Sequence, residues 1–162
     1  MEITIRQYQA ADLPQMKQIW NRVVEDGIAF PQTEILDDNR AGAFFAEQSY
    51  TGVAEDNSEI VGLYILHPNN IGRCGHIANS SYAVKNGQRG RHIGEHLVKH
   101  SMATAASLNF RLLQFNAVVA TNKGAIHLYE KLGFTQLGTI PGGFRMDDGH
   151  YEDIIPFYIE LT

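Results

Sequence analysis

Only one cysteine, Cys74, stands in the 162 residues, so no internal disulfide and no multi-cysteine metal site can be built. Nothing asks for an oxidising compartment. Long apolar runs are also missing. Met1 to Tyr8 alternates where a signal core would be continuous, and no stretch approaches the ~20 apolar residues that cross a bilayer. The expectation is a cytoplasmic protein that works away from membranes. Basic charge is scarce as well: 13 Lys and Arg against 18 Asp and Glu leave a net charge of -5, which argues against a nucleic-acid partner held by bulk charge. Repeats and low-complexity linkers are absent, and the length suits a single domain over residues 1–162. Apolar residues are plentiful at 44%, enough for a core, which excludes a wholly disordered chain.

Alternation at Ile3, Ile5 and Gln7 predicts a first strand. Asp12 can cap a helix whose apolar face is Leu13, Met16, Ile19, Trp20 and Val23, with Pro14 in its first turn and Gly27 past its end. A shorter helix is expected over Asp37 to Gln48. A hairpin follows, Tyr50 to Ala54 and Ile60 to Leu66, joined by the polar run Glu55 to Glu59. Cys74 to Val84 reads as a strand, with Cys74 a small residue in it. Ile93 to Leu108 reads as a long helix, and Leu112 to Ala120 as a buried strand between covered faces. Thr121 or Asn122 can cap the helix Ala125 to Leu132, which Gly133 closes. Gln136 to Ile140 and Tyr151 to Leu161 are the last strands, separated by the turn-rich Pro141-Gly142-Gly143. This order makes a mixed α/β sheet.

Between the strand ending at Val84 and the helix starting at Ile93 lies Gly87-Gln88-Arg89-Gly90-Arg91-His92-Ile93-Gly94. A strand, a glycine-rich turn and a helix start gather backbone N–H groups around one point, which suits a phosphate. The Lys-Ser/Thr pair of a P-loop and the Gly-x-Gly-x-x-Gly spacing of a dinucleotide fingerprint are both missing. On physics alone, a phosphate role and a plain basic loop stay equally open.

Arg89 to Gly94 resembles the Q/R-x-x-G-x-G/A acyl-CoA loop of the GNAT N-acetyltransferases. Asn122 to Phe134 (NKGAIHLYEKLGF) is similar to the N-x-x-A-x-x-L-Y-x-x-L-G-F helix of the same family. The resemblance implies a GNAT-type α/β fold: a mixed, mostly antiparallel sheet flanked by helices, with a splayed cofactor cleft between the central strands. It implies acetyl-CoA as co-substrate, its pyrophosphate on the amides of Arg89, Gly90, Arg91, His92, Ile93 and Gly94. The pantetheine would run along Ala83 and Val84, with an amide near Val84 polarising the thioester and Asn122 touching the arm or capping its helix. His92 departs from the pattern, standing where the family usually has glycine. Tyr129 matches the tyrosine that protonates the leaving thiolate.

Asn79 and Asn116 are amides inside apolar strands that should border the cleft, where an unpartnered carboxamide would be costly. Their surroundings, with Gly138-Thr139-Ile140-Pro141, resemble a subgroup similar to the yeast L-azetidine-2-carboxylate acetyltransferase. That resemblance implies a role in holding an amino acid's polar groups; core amides that fix strand register are the alternative. Glu25, Asp26, Phe30, Phe144 and Tyr151 are further candidates to line an acceptor pocket. His92, His96 and His100 recur every four residues without a carboxylate or thiol set, so no metal is expected. The expected activity is acetyl transfer to a small-molecule amine, with a catalytically idle acyl-CoA-binding module as the alternative; the resemblance leaves a homodimer open.

Overall fold

The computed structural model describes residues 2–88 and 90–161. Eight strands form one sheet: β1 (Thr4–Gln7), β2 (Tyr50–Asp56), β3 (Glu59–Pro68), β4 (Ile77–Val84), β5 (Leu112–Val119), β6 (Thr135–Gln136), β7 (Ile140–Arg145) and β8 (Tyr151–Glu160). Their order is β1-β2-β3-β4-β5-β8-β6, with β7 also paired to β8. Every pair is antiparallel except β4 with β5. The exception follows from connectivity, because a helix, α3 (Ile93–Ser107), crosses over between those two strands and returns the chain in the same direction.

The alternation of β3 and β4 divides the core in two. Leu63, Ile65 and Ala83 point to one face and are covered by α1 (Leu13–Asp26) and α2 (Asp38–Ala46) through Met16, Ile19, Trp20, Val24 and Phe45. Tyr64, Leu66 and Ala78 point to the other, with Leu113 and Phe115 of β5, under Ile93, Leu97 and Val98 of α3 and Ile126 of α4 (Lys123–Lys131). At Gly62 a Cβ would stand 3.1 Å from both Ile93 and Leu97, so the bare backbone of β3 is what lets the start of α3 sit this close. Glu95 ties α3 to α4 through Lys131 at 2.7 Å. No helix is long and apolar enough to cross a membrane among the described residues.

Helix ends follow local chemistry. Gly27 closes α1 in the left-handed region, Asp37 caps α2 by accepting from the Arg40 amide at 2.8 Å, and Asn122 caps α4 by accepting from Ala125 at 3.2 Å. Asp12 does not cap α1. Its buried carboxylate accepts from Arg6 Nη1 and Nη2 at 2.8 and 3.0 Å and from the Gln9 amide at 2.8 Å. The guanidinium outweighs the cost of burial and holds that carboxyl below its usual range.

Three strand expectations are corrected. The β2–β3 turn is only Asn57-Ser58, both with positive φ, because a two-residue turn of that hand matches the strand twist. Cys74 lies exposed in a 3₁₀ turn, Gly72–Cys74, outside β4. Pro141-Gly142-Gly143 is not the separating turn. It lies inside β7, where pairing with β8 on either side carries the strand through a register shift between Ile140 and Phe144.

Candidate active site

Pairing of β4 with β5 stops after Ile77–Leu112, Ala78–Leu113 and Asn79–Gln114. The cause lies in β5. Phe115 pairs with Phe157 and Val118 with Ile155, so Asn116 and Ala117 face Pro156 alone. Proline has no N–H to give to a ladder, and the extra residue makes a bulge that bends β5 away while β4 continues along β3 as far as Val84. A cleft of about 650 Å³ opens at the parting. Both faces of the sheet contribute to its wall: Ile65, His67, Asn79, Ser81 and Asn116 from the α1/α2 side, Tyr82, Phe115, Asn122 and Tyr129 from the α3/α4 side.

On the α1/α2 side, a residue that the sequence reading missed joins the two expected asparagines. Asn79 Nδ2 donates to Asn69 Oδ1 at 3.2 Å, Asn116 Nδ2 donates to the same oxygen at 2.7 Å, and Gln114 Nε2 donates to Asn116 Oδ1 at 2.9 Å. Asn69 is itself held, its amide donating to Ile77 O at 2.7 Å one step beyond the last β3–β4 pair. Gln48 and Glu47 at the end of α2, and Phe30, Pro31 and Gln32 after α1, close this side. Asn21 fixes that loop by exchanging two hydrogen bonds with the backbone of Leu36, at 2.9 and 2.8 Å. Gln48 Nε2 donates to Phe44 O at 2.9 Å, and its buried Oε1 has no partner among the described residues.

On the α3/α4 side, Tyr129 packs against Phe115 with ring centroids 4.5 Å apart, and against Phe134 and Phe157 at 5.6 Å. No hydrogen bond among the described residues uses its hydroxyl. Burial raises that phenol above its ordinary value, which keeps it protonated. Tyr82 differs. Its hydroxyl lies 2.7 Å from Ser101 Oγ, which donates in turn to Val98 O, so the tyrosine must be the donor and is already committed. Burial pushes Tyr82 up to about 12.

Ala83 is buried in the α1/α2 core, so only its backbone is available at the cleft edge, and Val84 packs on the opposite face. Arg89 lies outside the described residues. Gly90 through Gly94 lead into α3 beyond the end of β4 and do not line the cleft. Arg91 pairs with Asp56 of the hairpin at 2.8 Å and with Gln88 at 2.5 Å, which braces the turn. His92, at the N-cap of α3, holds φ 57° and ψ 30°, the left-handed conformation that glycine adopts without penalty. We therefore expect His92→Gly to stabilise the fold by roughly 1 kcal/mol, about 2–4 °C in Tm for a chain of this size. A thermal melt with an unchanged or lower Tm would contradict it.

The acceptor-pocket candidates divide. Phe30 lines the cleft and a second hollow of about 520 Å³ that also includes Glu25 and Phe144. Tyr151 does not belong with them: it is 65% exposed and lines neither hollow. Asp26 points to solvent, paired with Arg22 one helical turn away. Besides Asn69, the sequence reading missed His67, Glu47 and Gln48. No local pattern marks them, since Glu47 and Gln48 reach the end of β3 only through the pairing of β2 with β3, Tyr50 against Leu66.

A family model, Acetyltransferase (GNAT) family, matches residues 13–134. The chain is 31% identical over 156 residues to the N-acetyltransferase aca1 of Schizosaccharomyces pombe, covering 86% of this chain and 74% of that one. A GCN5-related N-acetyltransferase structure from Kribbella flavida superposes with TM-score 0.90 at 29% identity, covering 98% of this chain and 97% of that one. A phosphinothricin acetyltransferase from Sinorhizobium meliloti, in complex with acetyl-CoA, has the same fold at TM-score 0.91 and 20% identity, covering 100% of this chain and 90% of that one. The split sheet, the loop leading into α3 and the helix bearing Tyr129 thus have their place: the chain belongs to the acetyltransferase (GNAT) family, N-acetyltransferases whose co-substrate is acetyl-CoA.

Proposed function

We propose that the chain transfers the acetyl group of acetyl-CoA to the amine of a small molecule, an amino acid or amino-acid analogue being the first class to try. The observation that carries this reading is the passage through the sheet, with the unshared Tyr129 hydroxyl on one side and the asparagine cluster on the other. Among the described residues β4 has no strand paired on its β5 side beyond Asn79, and its edge N–H and C=O groups suit an extended arm with amides, such as pantetheine. The α3 N-terminus with the amides of Gly90 to Gly94 suits the pyrophosphate. Acetyl-CoA in the Sinorhizobium meliloti structure accords with that fit.

The opposite mouth favours an amine. Glu47 is a carboxylate, and no Lys or Arg stands among the described lining residues. An ammonium meets acceptors and negative charge there. A cleft of about 650 Å³ has room for a small acceptor beside the end of the arm. In this reading Tyr129 gives its proton to the departing sulfur, and Asn79 and Asn116 orient the acceptor.

The test is calorimetry with acetyl-CoA, followed by thiol release with L-proline, azetidine-2-carboxylate, L-methionine and benzylamine. Binding should raise stability by about 2.7 kcal/mol at a hundredfold excess over Kd. Thiol release is expected with at least one amine. Absence of binding would overturn the reading, and binding without turnover on any amine would favour the acyl-CoA-binding module.

A further inference from the structure

We propose that His67 is the base that takes the proton from the acceptor's ammonium group, an assignment that rests on the acetyl-transfer reading above. An aliphatic amine is mostly protonated at neutral pH and carries no lone pair until a proton leaves. A base in the cleft takes that proton in place, whereas without one the site draws only on the small fraction of free amine in solution. His67 lies near the end of β3, half-buried, with its side chain on the acceptor wall. It pairs in register with Asn79, and paired residues share a face of the sheet. Asn69, two residues on, shares that face too, so the imidazole is a neighbour of the amides that would orient the acceptor.

The ring's orientation prepares it for this work. Nδ1 lies 2.9 Å from the carbonyl oxygen of Pro68, and a carbonyl can only accept. Nδ1 therefore carries the hydrogen, which leaves the lone pair at Nε2. The same bond remains in place when Nε2 gains a proton, so it supports the imidazolium as well.

Among the described residues, the other titratable side chains lining the cleft are Glu47 from the end of α2, Tyr82 from β4 and Tyr129 from α4. Burial keeps both phenols protonated, so neither can accept a proton near neutral pH. Glu47 comes from the loop end of α2, whereas His67 lies on the sheet itself in register with Asn79. The proton balance closes. Two protons leave the acceptor nitrogen as its lone pair forms the C–N bond and the C–S bond breaks. One passes from the ammonium to His67 Nε2 and on to solvent; the other replaces the proton that Tyr129 gives to the thiolate.

The experiment measures kcat/KM for the best amine of the panel against pH in the wild type, His67→Asn, His67→Gln and Glu47→Gln, with Tm and acetyl-CoA affinity recorded for each. Asparagine keeps a donor near the place of Nδ1 and removes Nε2; glutamine puts a non-basic amide near Nε2. Both His67 variants should lose roughly 10²–10⁴-fold at neutral pH. The acidic limb of the wild-type profile should give way to a steady rise toward alkaline pH, as free amine accumulates, while acetyl-CoA affinity stays the same. A wild-type profile in either folded His67 variant would overturn the assignment, as would loss of the limb in Glu47→Gln alone. Wild-type enzyme that releases no thiol with any amine would instead overturn acetyl transfer itself, and this assignment with it.

Discussion

Tyr129→Phe is expected to lower kcat by about 10²–10⁴-fold while leaving Tm and the KM for acetyl-CoA close to their wild-type values. The separation of effects follows from how the ring is held. Its packing comes from Phe115, Phe134 and Phe157, all of which a phenylalanine would still meet. The hydroxyl makes no bond among the described residues, so its removal orphans no neighbour there and carries little cost in stability. The proposed chemistry then lacks its acid. A departing thiolate at neutral pH needs a proton from a group that still has one, and burial raises this phenol above its ordinary value near ~10. By the sign of that shift, kcat should hold to more alkaline pH than a free phenol would allow. Single-turnover rates settle the point: an unchanged chemical step in Tyr129→Phe would make the residue a packing aromatic.

Where structure depends on residues within one turn of each other, the sequence was legible. Gly27 ends α1 as expected, and of Thr121 and Asn122 it is Asn122 that caps α4; each is a contact three residues long. The motif helix carrying Tyr129 is also local. Legibility failed where a distant strand decides. Pro141-Gly142-Gly143 carries strong turn chemistry, yet its partner β8 draws it into a strand. Asp12 has the residue type of a cap, but Arg6 and Gln9 claim its carboxylate.

The site divides in the same way. Asn79 and Asn116 could be suspected because amides within apolar strands stand out. Asn69 could not, since it sits in an Asn-Asn pair after a strand, where sequence suggests only a loop. Its bond to Asn116 spans 47 positions. It is made where β5 bends at the bulge opposite Pro156, which lies 40 positions beyond Asn116. Tyr151 reads well as a pocket wall, an aromatic near a strand start, but where it pairs with Arg145 its side chain stands largely in solvent.

Asn69→Ala is therefore the sharper probe of the acceptor wall, and it should lower kcat/KM for the amine by about 10–100-fold while acetyl-CoA affinity stays unchanged. Its Oδ1 is the one acceptor shared by Asn79 and Asn116, so the substitution frees two amides from a single position. Each bond contributes only about 0.5–1.5 kcal/mol to stability, and Asn116 is exposed, so water can replace part of what is lost. The melting temperature should fall modestly. The kinetic loss comes from geometry: a displacement near 1 Å of groups that position an acceptor can cost ~10²-fold in rate. Asn69→Asp offers two acceptor oxygens at the same place and should restore most of the efficiency. A cycle combining Asn69→Ala with Asn116→Ala should be strongly non-additive, since the second change removes a side chain whose anchor has already gone. Full efficiency in folded Asn69→Ala, or additive losses in the cycle, would show that the three amides serve the strands alone.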